Sequence, residues 1–379
     1  MRLPDNLLRY LWYGLCLLGM TISIPAHAVE LRVAVAQEAL QLLVGSSTTA
    51  TVFDEYNQPL GQLEPLQPLE MTAANDQVQA AGIRVRYLRV VPQQSDGLVF
   101  IGERWFRGSA QVYARGGQLS GINLIDIEEY LYGVIGAEMP SSWPIEALKS
   151  QAIAARTYAL YHWQRRTDAP FDLGSDTGWQ VYRGAQQEND RVRTAVDATT
   201  AQVLTFNGSV INALYHAASG GRTEDIKLAF KENLPYLSTV KDYDQDGPYA
   251  RWQQSFLAGD LSKALGLDLG QLSEVRSLER TPSGRVQTLL IVGTRGSQVV
   301  KATDLRLRLG LKSTSFEVLA SPKPRPSSVL STISFVGRGF GHGLGLSQWG
   351  AKALAASGWN CLQILSHYYQ GTIIRSQRL

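Results

Sequence analysis

Glu138 stands in the stretch Gly136-Ala137-Glu138-Met139-Pro140. A carboxylic acid donates a proton near neutral pH only if its surroundings hold that proton on, and partial removal from water does this. The chain places apolar side chains close by in sequence: Met139, Trp143 and Tyr132, with Trp179 further on. Pro140 and Pro144 disfavour helix, because proline lacks an N–H and restricts the residue before it. The spacing therefore predicts a short non-helical segment carrying Glu138. Pro144 suits the first turn of a new helix, and Glu146 there complements its dipole. Ile145, Leu148, Ala152, Ala155, Ala159 and Trp163 recur at threes and fours, the apolar face of a buried helix. A rigid helix thus follows the predicted acid.

Other chemistry-bearing residues are weaker. Ser219-Gly220-Gly221 follows His216 by three residues, but no G-x-S-x-G elbow is present, and a polar hairpin end explains the pattern better. Asp242, Asp244 and Asp246 sit at calcium-loop spacing. The closing position falls on Gln253, which carries no charge, so calcium is not expected. His162, His216, His342 and His367 show no zinc spacing. The glycines at 337, 339, 341, 343 and 345 match neither a dinucleotide loop nor a phosphate loop. Cys361 reads as a small buried hydrophobe.

The elements that position these residues follow in order. Residues 29–110 alternate as strands, with turns at Asn57-Gln58-Pro59 and Ser95-Asp96-Gly97. Residues 120–127 read as a buried strand feeding the Glu138 region. After the long helix, residues 172–184 form an aromatic loop and a short strand. A helix spans 188–199, and Asn207-Gly208 marks a hairpin. Residues 222–330 are mixed short elements, closing in a proline-rich linker at 321–328. A helix from about Ser347 to Ser357 stops at Gly358, and another starts at a capping pair, Asn360 and Gln363. The expected fold class is α+β: a β-rich region at 29–110 and a mixed core at 111–379.

Of 379 residues, 44% are hydrophobic and 18% charged, so the chain is globular and long enough for a sizeable core. A net charge of +3 without basic clusters gives no support for nucleic-acid binding. Residues 1–28 read as a signal peptide: Arg2 and Arg9, an apolar run from Leu11 to Ile24, then Ala26-His27-Ala28. The run is short for a membrane span. The expected location is outside the cytoplasmic membrane, in the periplasm or cell wall. Cleavage would leave Cys361 alone, so no internal disulfide is expected.

The wording EYLYGVIGAEMPSSWPIEALKSQAIAARTYAL, from Glu129 onward, and GRGFGHGLGLSQWGA at 337–351 resemble the SpoIID/LytB family. The resemblance runs from about residue 110 to the end. It implies a SpoIID-like catalytic core and lytic transglycosylase activity on peptidoglycan glycan strands, at the MurNAc–GlcNAc bond. Glu138 falls on the family's general acid/base, and Arg156 on an arginine of its active-site neighbourhood. For Arg156 a salt bridge within the core is an equal reading. The matching motifs imply substrate contacts from Gln180, Tyr182, Ser219, Gly220, Gly221, Gly341, His342, Gly343, Ser347 and Gln348, with the glycine run as a groove wall. Some members bind zinc through a Cys and a His before their QVY triplet. Here that loop reads Gly174-Ser-Asp-Thr-Gly-Trp179, which has neither, and no cofactor is expected. A hydrolase would need a second carboxylate, for which Asp176 is the best candidate; Glu128 and Glu129 read as structural. The alternative implied by LytB-type members is a non-catalytic enhancer of an N-acetylmuramoyl-L-alanine amidase, which would then be a partner.

Overall fold

The computed structural model describes residues 29–321 and 329–377. The signal segment at 1–28 and positions 322–328 of the proline-rich stretch lie outside the described residues. The fold is α+β with a β-rich N-terminal half.

That half is two facing sheets. The larger orders its strands Leu173–Gly174, Glu30–Ala39, Gln118–Asp126, Ser109–Arg115, Tyr87–Pro92, Ala50–Phe53 and Pro59–Leu63. Only Leu173–Gly174 pairs parallel to its neighbour. The alternating runs put Leu31, Val33, Val44, Met71, Leu88, Val90, Val112 and Leu119 into one core, as period-2 patterning requires. Strands from both sides of residue 110 share this sheet, so hydrogen bonding runs straight across that position.

Strand Gln118–Asp126 leads directly into helix α1 (Ile127–Glu138). Asp126 caps it by accepting from the N–H groups of Glu128 and Glu129. The expectation of a non-helical setting for Glu138 is therefore corrected. Pro140 forces only Met139 out of helical geometry (φ −133°, ψ 138°), so the helix runs through Glu138 and stops one residue later.

Helix α2 (Ile145–Gln164) separates two cores. Leu148, Ala152, Ala155 and Ala159 face the sheet core, while Ala147, Ile153 and Ala154 face a second core. From Ser150 to Leu160 every residue of the helix is buried, beyond the single apolar face that its periodicity predicts.

Helix α3 (Asp190–Asp197) follows. The expected hairpin pairs Gln202–Phe206 with Ser209–Val210, and Asn207 and Gly208 both take positive φ (49° and 82°), as a two-residue turn of this kind demands. The short strand expected after Trp179 is not formed; the strand in that loop is Leu173–Gly174. A short helix α4 (Ile226–Phe230) precedes a unit that the sequence did not resolve. Strands Trp252–Leu257, Leu272–Arg280, Val286–Gly293, Gly296–Lys301, Phe316–Ser321 and Thr332–Gly337, with helices α5 (Ala258–Leu265) and α6 (Ala302–Leu309), enclose a separate core around Leu261, Leu289, Leu305 and Phe335. The chain then returns through α7 (Gln348–Ala356) and α8 (Cys361–Tyr368), which carries the expected capping box.

Segment 180–188 lies tightly along α1 because Gly133 and Gly136 leave room for it. A Cβ on Gly136 would overlap the Gln187 carbonyl, and one on Gly133 would press on the Tyr182 ring. Gly136→Ala should therefore lower stability by about 1–3 kcal/mol, the usual cost of overpacking. Urea titration measures this, and an unchanged midpoint would disprove the close approach.

Candidate active site

Glu138, at the C-terminal end of α1, receives three hydrogen bonds. Its Oε1 accepts from the Val181 N–H (2.9 Å) and the Tyr215 hydroxyl (3.1 Å). Its Oε2 accepts from Gln348 Nε2 (3.0 Å). The donors come from three distant segments. Val181 is carried by the segment packed on α1. Tyr215 and Gln348 arrive together, because Tyr215–His216 pairs parallel with Leu346–Ser347, immediately before α7.

Burial is the first cause of the acid's character: it pushes the Glu138 carboxyl above its ordinary range, against the three donors, which pull it down. The helix C-terminus adds an unfavourable field for an anion. No other carboxylate is among the groups that set its protonation. Glu138 as a residue is half-buried.

A directed relay stands behind it. The Tyr130 hydroxyl donates to Gln180 Oε1 (3.3 Å), and Gln180 Nε2 donates to the Tyr215 oxygen (3.1 Å) and to the Ala155 carbonyl (3.3 Å). Tyr215 thus accepts from Gln180 and donates to Glu138. Burial raises Tyr130 and Tyr215 well above the usual phenol value, so both remain hydroxyl donors.

The ten residues read as substrate contacts fall into different places. Gln348 is bonded to Glu138. Gln180 is wholly buried and orients Tyr215. Tyr182 is buried too, with its hydroxyl on Asn123 Oδ1 (2.8 Å). Ser347 is buried as the cap of α7, accepting from the Gly350 N–H (3.2 Å). Ser219 is 2% exposed, its hydroxyl 2.8 Å from His216 Nε2. Gly220 and Gly221 donate their N–H groups to Asp244 (2.6 and 2.8 Å). Those amides are thus already engaged, and Ser219 and His216 do not lie at a hairpin end: Tyr215–His216 pairs parallel with Leu346–Ser347 instead. Gly341 and His342 are half-buried and Gly343 is buried. His342 Nδ1 accepts from the Leu344 N–H (3.0 Å), and burial holds this imidazole well below its usual range, so it is neutral.

Arg156 is 0% exposed and is placed away from the acid's hydrogen bonds. It grips Glu128 with Nε (2.8 Å) and Nη2 (2.6 Å), and donates to the carbonyls of Gln202 and Val196. These contacts are those of the core salt bridge, one of the two equal readings of this residue. Among the apolar candidates, Met139 and Trp143 are buried beside the acid in sequence, whereas the Tyr132 hydroxyl bonds Asp197 (2.8 Å). Trp179 is 37% exposed, edge-on to His162. Asp176 accepts from the Gly178 N–H (2.8 Å). Its loop offers no Cys or His, so its residues do not fit a zinc ion; among the described residues no group of three or more His, Cys, Asp or Glu side chains is gathered for a metal.

Tyr215 is the residue that sequence reading missed. Its one signal was its position beside His216 at the end of an alternating run, and nothing local points it at Glu138.

The family model described as stage II sporulation protein matches residues 115–206, and a domain family of unknown function matches 188–345. Stage II sporulation protein D of Bacillus subtilis is 34% identical over 267 residues, covering 66% of this chain and 74% of the relative. The chain belongs to the stage II sporulation protein D family. An uncharacterized protein of Brachyspira hyodysenteriae is 32% identical, covering 75% of this chain and 76% of its own. The amidase enhancer of B. subtilis is 32% identical over 65% of this chain, which spans 40% of that longer protein. The sporulation-protein match takes in Glu138, Gln180 and Val181, and ends before Tyr215 and Gln348.

The burial of Glu138 and of Arg156 has measurable consequences. Because the folded state raises the Glu138 pKa, the stability it contributes is complete below the ordinary glutamate range and is lost as pH rises through the raised value. Glu138→Gln should therefore gain stability relative to the native protein as pH climbs through that window, then hold a constant margin. Thermal melts from pH 3 to 8 read this, and a margin independent of pH would refute the burial effect. Glu128→Ala leaves the Arg156 guanidinium buried without its carboxylate, and should cost about 3 kcal/mol, the lower end for a broken buried pair because Glu128 is 19% exposed. Denaturant unfolding measures that loss.

Proposed function

We propose that this chain is an exported cell-wall enzyme, a lytic transglycosylase that cleaves the MurNAc–GlcNAc bond of peptidoglycan glycan strands. The observation that carries the reading is the setting of Glu138: a carboxyl pushed by burial above its ordinary range and met by three neutral donors. The protonated carboxyl gives its proton to the glycosidic oxygen as the C1–O bond breaks, and the leaving sugar departs with a free hydroxyl. The C6 hydroxyl of the same muramic acid then closes on C1. Its proton passes to Glu138, which returns to the acid form, and the product end is a 1,6-anhydro ring. No water is consumed and one carboxyl suffices, in contrast to the paired carboxylates of ordinary glycosidases. The donors from Val181, Tyr215 and Gln348 stabilise the carboxylate in the interval between the two transfers.

The likeness to the amidase enhancer supports a second reading, in which this chain binds the wall and a partner N-acetylmuramoyl-L-alanine amidase does the cutting. The export signal read at residues 1–28 accords with either role in the periplasm or cell wall.

Digestion of purified peptidoglycan, with and without stem peptides, separates the readings. The native protein should release fragments with anhydro-muramic ends by mass spectrometry, and Glu138→Gln should release none. Reducing ends would instead mean hydrolysis, and intact glycan on both substrates would favour the enhancer.

A further inference from the structure

The unit at residues 252–337 has its own core, yet one of its turns is plugged into the site's framework. Residues Thr281 to Arg285 connect its strands Leu272–Arg280 and Val286–Gly293. The Thr281 and Ser283 hydroxyls donate to Glu224 Oε2 (2.6 and 2.7 Å). The Glu224 N–H in turn donates to the Gly343 carbonyl (2.8 Å). Arg285 is 3% exposed. Its Nη2 donates to the Ser219 carbonyl (2.8 Å) and its Nη1 to the Gly341 carbonyl (3.4 Å). No carboxylate lies within ion-pair distance among the described residues, and its Nε finds no partner. A buried guanidinium that bonds only carbonyls is costly to keep unless its placement matters. Gly343 has no side chain where the guanidinium lies: a Cβ would fall 2.5 Å from Nη2.

The two loops that Arg285 joins are those that deliver the donors to Glu138. Ser219 stands four residues after Tyr215. Gly341 stands seven before Gln348. We propose that Arg285, with Thr281 and Ser283, is a positioning device: it locks the 215–224 and 341–348 segments in register so that Tyr215 and Gln348 meet Glu138. The inserted unit is thereby part of the site although it contributes no group that touches the acid. Arg285 is not among the charges acting on Glu138, so its influence runs through geometry. Its charge does reach His216 and His342, lowering both and keeping them neutral.

This inference rests on Glu138 being the acid of the proposed reaction, and its main readout needs no substrate. Carbon-13 NMR on glutamate-labelled protein, assigned with Glu138→Gln, gives the Glu138 titration midpoint. Loss of the Tyr215 and Gln348 bonds removes donors that favour the carboxylate, so Arg285→Gln should move the midpoint up. Thr281→Val with Ser283→Ala, which changes no charge, should move it the same way, and Arg285→Lys should restore part of the shift. Where the native protein cleaves glycan, kcat should fall about tenfold with little change in KM, the signature of misplaced groups rather than weakened binding. A folded Arg285→Gln protein with an unmoved midpoint overturns the proposal. If that variant does not fold, the Thr281/Ser283 pair decides by the same criterion. A native protein that cleaves nothing defeats the transglycosylase reading and leaves the titration to settle this one.

Discussion

Glu138 is held between opposite demands. Burial and the C-terminal end of α1 favour its neutral form, while three neutral donors favour its charged form, and burial prevails. An acid that must give up a proton and take it back needs both influences. Burial alone would strand the carboxylate after transfer; the donors alone would leave it ionised beforehand. None of the three donors carries a charge, so the balance survives changes of pH that would discharge a lysine or a histidine partner.

Such a balance requires donors fixed to within tenths of an ångström, and each comes from a different part of the chain. The architecture can be read as the means to that end. Helix α2 is buried between two cores, and its small side chains let the sheet half and the C-terminal half approach one frame. The glycines of α1 admit the segment carrying Val181. Arg156, far from being free to meet a ligand, ties α1 through Glu128 to the end of α3 and the start of the following strand through two carbonyls. It fixes the acid's helix from behind.

Glu138 stood out as a candidate through local cues: a glutamate followed closely by proline and by a helix of small residues. The same cues wrongly put Glu138 in a non-helical segment, since Pro140 restricts the residue before it and not the one before that. The hairpin at Asn207-Gly208 and the capping pair at Asn360 were legible for the same reason, each being a rule about neighbours. Tyr215 was not, because its meeting with Glu138 depends on a parallel pairing between segments 131 positions apart. Gln180, Ser219 and Ser347 were read as substrate contacts and are buried, because a motif does not say whether a polar side chain faces a ligand or the interior. The unit at 252–337 was read only as mixed short elements: most of its strands pair with a neighbour in sequence, but Trp252–Leu257 pairs with the distant Thr332–Gly337, which no local signal announces.

The buried charges extend the argument. Arg156 has its carboxylate and is fixed by it; Arg285 has none at ion-pair distance among the described residues, feels Glu224 and Asp244 only from further off, and bonds backbone carbonyls. Those carbonyls belong to glycine-rich loops whose own side chains can do little to hold a shape. A cation bonded to main chain restrains such loops without placing a negative charge near Glu138, where it would raise the acid's pKa further and make the carboxyl a poorer proton donor. The neutral state of His216 and His342 serves the same end from the other side. An imidazolium beside the loops would pull the acid's proton off early, and burial together with the Arg285 charge keeps both rings uncharged. The electrostatics around Glu138 are thus arranged by exclusion, with charge kept at one remove from a single carboxyl.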